Sequence, residues 1–363
     1  MYTSIRRYFL GGSILLTALL WMACSKSNGD QTSPGKTDSR VQPLQFMLEN
    51  NPAFSNFDTL MKVSGYMDSL GKGRPYTLLV PDNTAFLNAG IRVDSLMALP
   101  KDSLRVFVGN HILAGTVTTD LVPQTITNPM VALNGQTLYL SKPVMTAYAA
   151  SIPALALQYQ RTLHINGVKV TLVDQKAVDG ALHSLWFPLR VPVPSVGKYL
   201  ASRPEFSLFV AGLRKFNLFS QLDSAGLYTV FAPSNAAMTN YGMTADMIAS
   251  DTFDARHYQP FLFTAGILNS RTFMTDFADA QLPNNNTGYT QYGTVQYGYG
   301  DYNPVMSIHV TNYYSPYGPT NSNYNAIGPY VSARQQDQQP AVNGVILPVD
   351  NILVYPDSVY LYR

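Results

Sequence analysis

The chain has 363 residues, a formal charge of +2, 13% charged and 12% aromatic residues, and one cysteine. Its length fits two domains of ordinary size, ~100–200 residues each, with room for a core in both. Arg6 and Arg7 lie in a segment expected to be removed, and without them acidic and basic side chains balance; counterion release then offers nucleic acid little, and it is excluded as a partner.

Residues 1–24 read as an export signal: Arg6-Arg7, an uncharged run from Phe9 to Ala23, then Cys24. The run falls short of the ~20 residues that span a bilayer as a helix and fits a signal-peptide core. Cys24 resembles the lipidation site of bacterial lipoproteins, although Trp21 stands where Leu is usual, and as a lone cysteine it forbids an internal disulfide. The expectation is a bacterial cell-envelope protein held to the outer membrane through acyl chains on Cys24, with the surface or periplasmic face left open. Residues 25–42 carry no large apolar side chain before Val41, so they form a flexible tether with a root-mean-square reach of ~20–25 Å.

A first domain is placed at 43–192. Phe54, Phe57 and Met61 mark a helical stripe. Tyr76 to Phe86 reads as a short apolar strand stopped by Pro81, then Asp82-Asn83 as turn or cap, then a helix start. Leu104, Phe107, Val108, His111 and Ile112 give one helix within 102–115, capped by Asp102 or Ser103 and ended by Gly115. Asn134-Gly135 and Asn166-Gly167 between strand-forming runs predict hairpins. The domain closes on the apolar strand that starts at Asp179-Gly180, and Val191-Pro192-Val193-Pro194-Ser195 is a short, stiff connection that keeps the domains near each other.

A second domain is placed at 195–357, because the chain repeats itself. Tyr228 to Met238 restates Tyr76 to Phe86, while Pro52, Phe54, Ser55 and Phe57 return as Pro204, Phe206, Ser207 and Phe209, each 152 positions on. A repeat this long is a whole domain rather than a solenoid unit of ~20–50 residues. Phe206, Phe209, Val210 and Leu213 carry the matching helical stripe, and Asn343-Gly344 opens the matching closing strand. Tyr258 to Gly266 relates to the central helix with Leu262 in place of His111. A Tyr-, Asn- and Gly-rich insertion at 284–330 has no Lys, Arg or Glu and is expected to form a hairpin with long loops.

These motifs resemble the fasciclin-like domain family. Tyr76 to Phe86 and Tyr228 to Met238 are similar to its Thr-Val-Phe-Ala-Pro-Thr-Asn-x-Ala-Phe signature. Asn110-His111-Ile112 is similar to its central Tyr-His segment, with Asn110 where Tyr is usual, and Asp179-Gly180-Ala181-Leu182-His183 and Asn343-Gly344-Val345-Ile346 to its closing strand. The resemblance implies an α+β fold of two tandem domains, each a wedge of two small β-sheets with packed helices, and a role in adhesion or extracellular binding without catalysis. The second copy has Leu262 and Leu347 where the family places histidine, so any function of those histidines falls to His111 and His183.

Catalytic and metal chemistry find no pattern to rest on. His111, His164, His183, His257 and His309 lack zinc-ligand spacing, only Glu49 and Glu205 are glutamates, and no nucleophile elbow, phosphate loop or dinucleotide fingerprint occurs in the mature chain. No cofactor and no metal is expected. The candidate partner-contacting residues are His111 and the insertion tyrosines Tyr297, Tyr299, Tyr302, Tyr313, Tyr314 and Tyr317, since Tyr offers a flat apolar face and a hydroxyl at low entropy cost. The competing readings are a structural histidine and tyrosines packed on their own domain. Asp-Ser/Thr-apolar triplets at Asp58, Asp68, Asp94, Asp102, Asp223 and Asp357 read mostly as helix caps, and otherwise as O-glycosylation acceptors. The leading reading is a non-catalytic adhesion or protein- or glycan-binding module; the alternatives are an accessory glycan-binding lipoprotein of an outer-membrane nutrient-uptake system and an envelope hydrolase.

Overall fold

The computed structural model describes residues 41–253, 267–279, 287–290, 293–300, 303–311 and 331–352. In the first half, the apolar run after Arg74-Pro75 forms β1 (Tyr76–Pro81). It is followed by β2 (Ile112–Ala114), β3 (Asn128–Val131), β4 (Thr137–Ser141), β5 (His164–Ile165), β6 (Val168–Ala177) and β7 (Gly180–Leu185). Their order in the sheet is β2-β1-β7-β6-β5-β4-β3, antiparallel throughout except that β1 and β7 run parallel. Buried on both faces, β1 is apolar without strict alternation: Leu78 and Val80 enter the core built by the helices, with Phe57, Leu60, Phe86 and Leu104, and Leu79 enters a second core with Leu113, Leu138, Ile165 and Leu185.

The ten-residue β6 pairs with β5 at its start and with β7 along the rest, through two register shifts and a positive φ of 56° at Asp174. Such bulges bend a strand, so the sheet reads as two small sheets sharing β6. Their outer edges touch again at the Leu113–Ala132 bridge. Both Asn-Gly hairpins are present; Asn166 and Gly167 take φ of 48° and 72°, the left-handed pair a two-residue turn requires.

The second half contains β8 (Tyr228–Pro233), β9 (Ile267–Leu268), β10 (Thr287–Thr290), β11 (Gly293–Gly300), β12 (Asn303–Thr311), β13 (Val331–Arg334), β14 (Gln339–Ala341) and β15 (Gly344–Val349). The sheet runs β10-β11-β12-β13-β15-β8-β9, with β14 also on β15, and β8 and β15 repeat the parallel pair. Where described, the insertion is a three-stranded antiparallel meander with Thr290 opposite Gly293 and Gly300 opposite Asn303. The expected hairpin is present with one further strand, and its strands extend the second sheet; residues 312–330 of the insertion lie outside the described residues.

Three side chains fix both halves in the same way. Asn83 accepts from Asn56 N–H at 3.1 Å and donates to Pro52 O and Ser55 Oγ; Asn235 accepts from Leu208 N–H at 2.9 Å and donates to Pro204 O and Ser207 Oγ. Thr77 donates to Gly115 O and accepts from Val117 N–H, as Thr229 does with Ser270 O and Thr272 N–H. Asp179 Oδ1 accepts the Leu44 N–H, and Asn343 Oδ1 the Val196 N–H, which ties each closing strand to the first helix of its half. A Cβ on Gly180 or Gly344 would lie 1.7 Å from Tyr76 O or 2.0 Å from Tyr228 O. The glycine is there because a parallel neighbour's carbonyl occupies the space of a side chain.

Two expectations fail. The central helix ends at Gly109 rather than Gly115, and residues 112–114 leave as β2 to pair with β1; the ladder overrides the helical spacing. The Asp-Ser/Thr triplets are not caps. Asp58, Asp94 and Asp102 lie inside first turns, where they favour the helix dipole. Asp68 lies within a 3₁₀ turn, and Asp223 ends one. Caps come instead from Asp82, Thr146, Ser195, Ser234 and Thr244. Asp357 lies outside the described residues.

Because Asn83 and Asn235 make the same three bonds, Asn83→Ala and Asn235→Ala should each destabilise by ~2–4 kcal/mol, the sum of modest net bonds and stranded partners. Urea unfolding followed by circular dichroism measures this. An effect under half a kcal/mol at either site would show that the bonds do not hold the loop.

Candidate functional site

His111 sits just past the central helix with no exposed surface. Its Nδ1–H donates to Phe107 O at 2.9 Å, a last-turn carbonyl that also accepts the Asn110 N–H, and its Nε2 accepts the Leu189 N–H at 2.9 Å. The rings of Phe57 and Phe107 lie 5.5 and 4.9 Å away. These bonds demand the neutral tautomer, and burial pushes the imidazole down to about 4 against a weaker opposing pull from the Phe107 carbonyl. Both nitrogens are used inside the protein, so His111 does not contact a partner, which corrects that candidate assignment. Next to it, buried Asn110 donates to Arg190 O and accepts from Asn134 Nδ2. Asn110 and His111 together tie the helix end to the segment that leaves the domain, a role sequence spacing gave no sign of for Asn110.

His183 is also consumed by the fold. Nε2–H donates to Val117 O at 2.8 Å, Nδ1 accepts the Asp174 N–H at 3.2 Å, and burial lowers its pKa. The register places His183 opposite Leu79 and Leu347 opposite Phe231, so Leu347 does stand in the place of His183. In the first half the imidazole satisfies groups exposed by the β6 bulge; in the second, Leu347 packs with Phe231 and Phe273. Lys142 lies nearby, buried, with Nζ donating to Thr119 O at 2.8 Å; burial depresses its pKa while Asp174 and Asp120 act against that.

Among the tyrosines, Tyr297 and Tyr299 occupy β11 opposite Ile308 and Met306 of β12. Tyr302, Tyr313, Tyr314, Tyr317, Leu262 and Cys24 lie outside the described residues. Among the described residues no group of three or more His, Cys, Asp or Glu is placed to hold a metal, and no helix is long and apolar enough to cross a membrane.

Sequence spacing carries no mark of the glutamines that build the junction between the halves. Gln335 donates to Gly167 O, Gln339 to Val191 O at 2.9 Å, and Arg190 Nε to Gln336 O at 3.1 Å. Val193 bridges to Ala341, so the proline-rich connection is hydrogen-bonded into the second half. Arg271 lies 4.1 Å over the Tyr139 ring, with Nη2 donating to the carbonyls of Ala341 and Val342. Phe273 meets the same tyrosine at 6.1 Å. A crevice of about 20 Å³ opens among these groups. A run reading Arg334-Gln335-Gln336-Asp337-Gln338-Gln339 looks like a solvated loop, yet Gln335, Gln338 and Gln339 are buried.

Two halves closed by the same parallel strand pair and the same side-chain contacts define a duplicated α+β protein whose buried histidines serve its architecture. The fasciclin-domain family model matches residues 52–186 of this chain. Human Stabilin-1 is 29% identical over 187 residues, 49% of this chain and 7% of that protein. Mouse Stabilin-2 is 26% identical over 186 residues, 48% of this chain and 6% of that protein. The chain thus spans under a tenth of the length of these curated relatives. The solved structure of a FAS1 domain pair from the insect cell adhesion molecule fasciclin I aligns at a TM-score of 0.37 and 15% identity, over 87% of this chain and 96% of that one.

Two measurements follow from these contacts. Above the ordinary histidine pKa the His111 contribution to stability is complete. As pH falls from 6.5 toward 4 the unfolded chain takes up the proton first, and about 3 kcal/mol is lost. His111→Leu should cost ~2 kcal/mol at pH 7 by stranding the Leu189 N–H and losing the bond to Phe107 O and should flatten the pH dependence over that range; an unchanged slope in urea titrations would remove the assignment. At the junction, a Cβ on Gly167 would lie 2.6–2.7 Å from Gln338 and Phe273 at a φ of 72°. Gly167→Ala should therefore destabilise by ~1–3 kcal/mol and speed amide exchange at Gln335 and Gln338; wild-type exchange there would count against the tight junction.

Proposed function

We propose that this chain is a non-catalytic, lipid-anchored module of the bacterial cell envelope that binds an extracellular or envelope protein or glycan. Fasciclin domains are associated with cell adhesion and extracellular binding, and a match at 52–186 supports that class here. The observation that carries the reading is the asymmetry between the halves. Both use the same strand pair and the same three bonding side chains, but only the second adds the meander β10-β11-β12, whose sequence is rich in tyrosine and free of Lys, Arg and Glu. The closure of the domain does not need this extension, and tyrosine suits both protein and sugar surfaces. Cys24 and the segment 25–42 supply the anchor and the reach.

The test uses the full chain and a variant lacking residues 287–328, each checked for folding by circular dichroism. Wild type should bind intact envelopes or polysaccharide arrays, and the deletion should lose at least tenfold in affinity. Equal binding by a folded deletion variant would refute the assignment of the surface. Cys24→Ser should move the protein from the membrane to the soluble fraction, and continued membrane association would remove the lipid anchor.

A further inference from the structure

The junction crevice is walled by Ile91, Phe187 and Pro340, and the exposed Arg190 stands at its rim. No Asp or Glu lines it, so Arg190 is the charge that faces it. Asn166 and Gln338, also in the lining, are each 3% exposed, and Asn166 Nδ2 and Gln338 Nε2 are buried amide donors with no hydrogen-bond partner. Such donors carry the full penalty of desolvation, and few buried polar groups in a folded protein are left this way.

The two carboxamides are held unequally. Asn166 Oδ1 accepts the Tyr139 N–H at 2.8 Å, whereas Gln338 Oε1 accepts the Met274 N–H only at 3.4 Å. The terminal torsion of a carboxamide is broad, so Gln338 can turn its –NH2 toward the crevice by giving up one long bond. Arg190 is fixed at the rim by its Nε bond to Gln336 O. Donors inside, a guanidinium outside and apolar walls between them match a ligand with a compact oxygen head and a short apolar body. At about 20 Å³ the enclosed space takes about one water-sized group, so a single carboxylate oxygen enters it and the rest of the ligand lies toward the open rim.

We propose that this crevice binds the carboxylate of a small organic acid, with an oxygen accepting from Gln338 Nε2, the charge facing Arg190, and the carbon body against Phe187 and Pro340. Arg suits this role because its fork matches carboxylate geometry. The site does not depend on the envelope-binding surface proposed above, which lies on other strands.

The experiment titrates the ¹⁵N-labelled full chain with sodium acetate, with acetamide, and with sodium chloride at equal ionic strength, following the side-chain amide signals of Asn166 and Gln338. Acetate should shift both saturably, acetamide at least tenfold more weakly, and chloride not at all. Gln338→Glu keeps the size and removes the donor; it should abolish the saturable shift at Asn166 while the fold, read by backbone signals, is retained. Arg190→Gln should bring acetate down to the affinity of acetamide. The proposal is overturned if acetate gives no saturable shift in the folded wild type, or if chloride reproduces the shift. It is equally overturned if acetamide binds as well as acetate, or if both variants bind like wild type.

Discussion

The parallel pairing of the strand that opens each half with the strand that ends it, β1 with β7 and β8 with β15, is the constraint the rest of the structure obeys. Parallel neighbours need a crossover, commonly one helix. Here everything between the two strands serves as that crossover, so the pair forms only when the enclosed helices and hairpins have found their places. Its cost is the ordering of a long loop, and topologies of this kind fold slowly. Glycine at the first position of the closing strand follows directly, since Tyr76 O and Tyr228 O occupy the space a Cβ would take. The Asx before it follows too: Asp179 and Asn343 use their carboxyl and amide oxygens to seize the first helix of the half. Start and finish of each half are thus secured at one place.

That economy explains which parts of the fold were legible in the sequence. Among the positions that recur at a constant spacing, Thr77 and Thr229, and Asn83 and Asn235, are those whose side chains bond backbone across the half. Recurrence inside one chain reports such constraints without an alignment. Periodicity was a poorer guide where a long-range ladder competed with it. Val108, His111 and Ile112 keep helical spacing, but the backbone from 112 to 114 is drawn off to complete the edge beside β1. The Asp-Ser triplets misled for a related reason. An acidic residue is favourable anywhere in the first turn of a helix, so its presence does not mark the cap itself.

The histidines show why residue type alone is a weak pointer to function. His111 and His183 each have one ring nitrogen donating to a carbonyl and the other accepting a backbone N–H, an arrangement open to neutral imidazole and to no other side chain of that shape. They answer a local surplus of backbone groups: the end of a helix for one, the bulge in β6 for the other. Beside β15 the neighbouring chain leaves the ladder between Ala333 and Gln339, and there Leu347 fills the same register position against Phe231 by apolar packing. The missing histidine in the second half is therefore a change of local backbone demand, and it carries no information about a ligand.

The glutamines at the junction are the opposite case, since nothing local requires them. Gln335 and Gln339 spend their amide donors on Gly167 O and Val191 O, carbonyls of the first half and of the connection. Arg271 stacks on Tyr139 and donates to the strand that the connection joins. Polar pairs across an interface specify geometry more than they add stability, because each must first be stripped of water. Apolar contact alone would leave the halves free to slide, as interfaces inside multidomain chains often do. A lattice of directional bonds with a glycine at its tightest point, Gly167 against Gln338 and Phe273, admits one register. The duplicated halves thus differ in three kinds of place: where backbone demand changed, where they grip each other, and where one sheet has grown outward. The first two are accounted for by the fold, and the third is where the proposed binding surface lies.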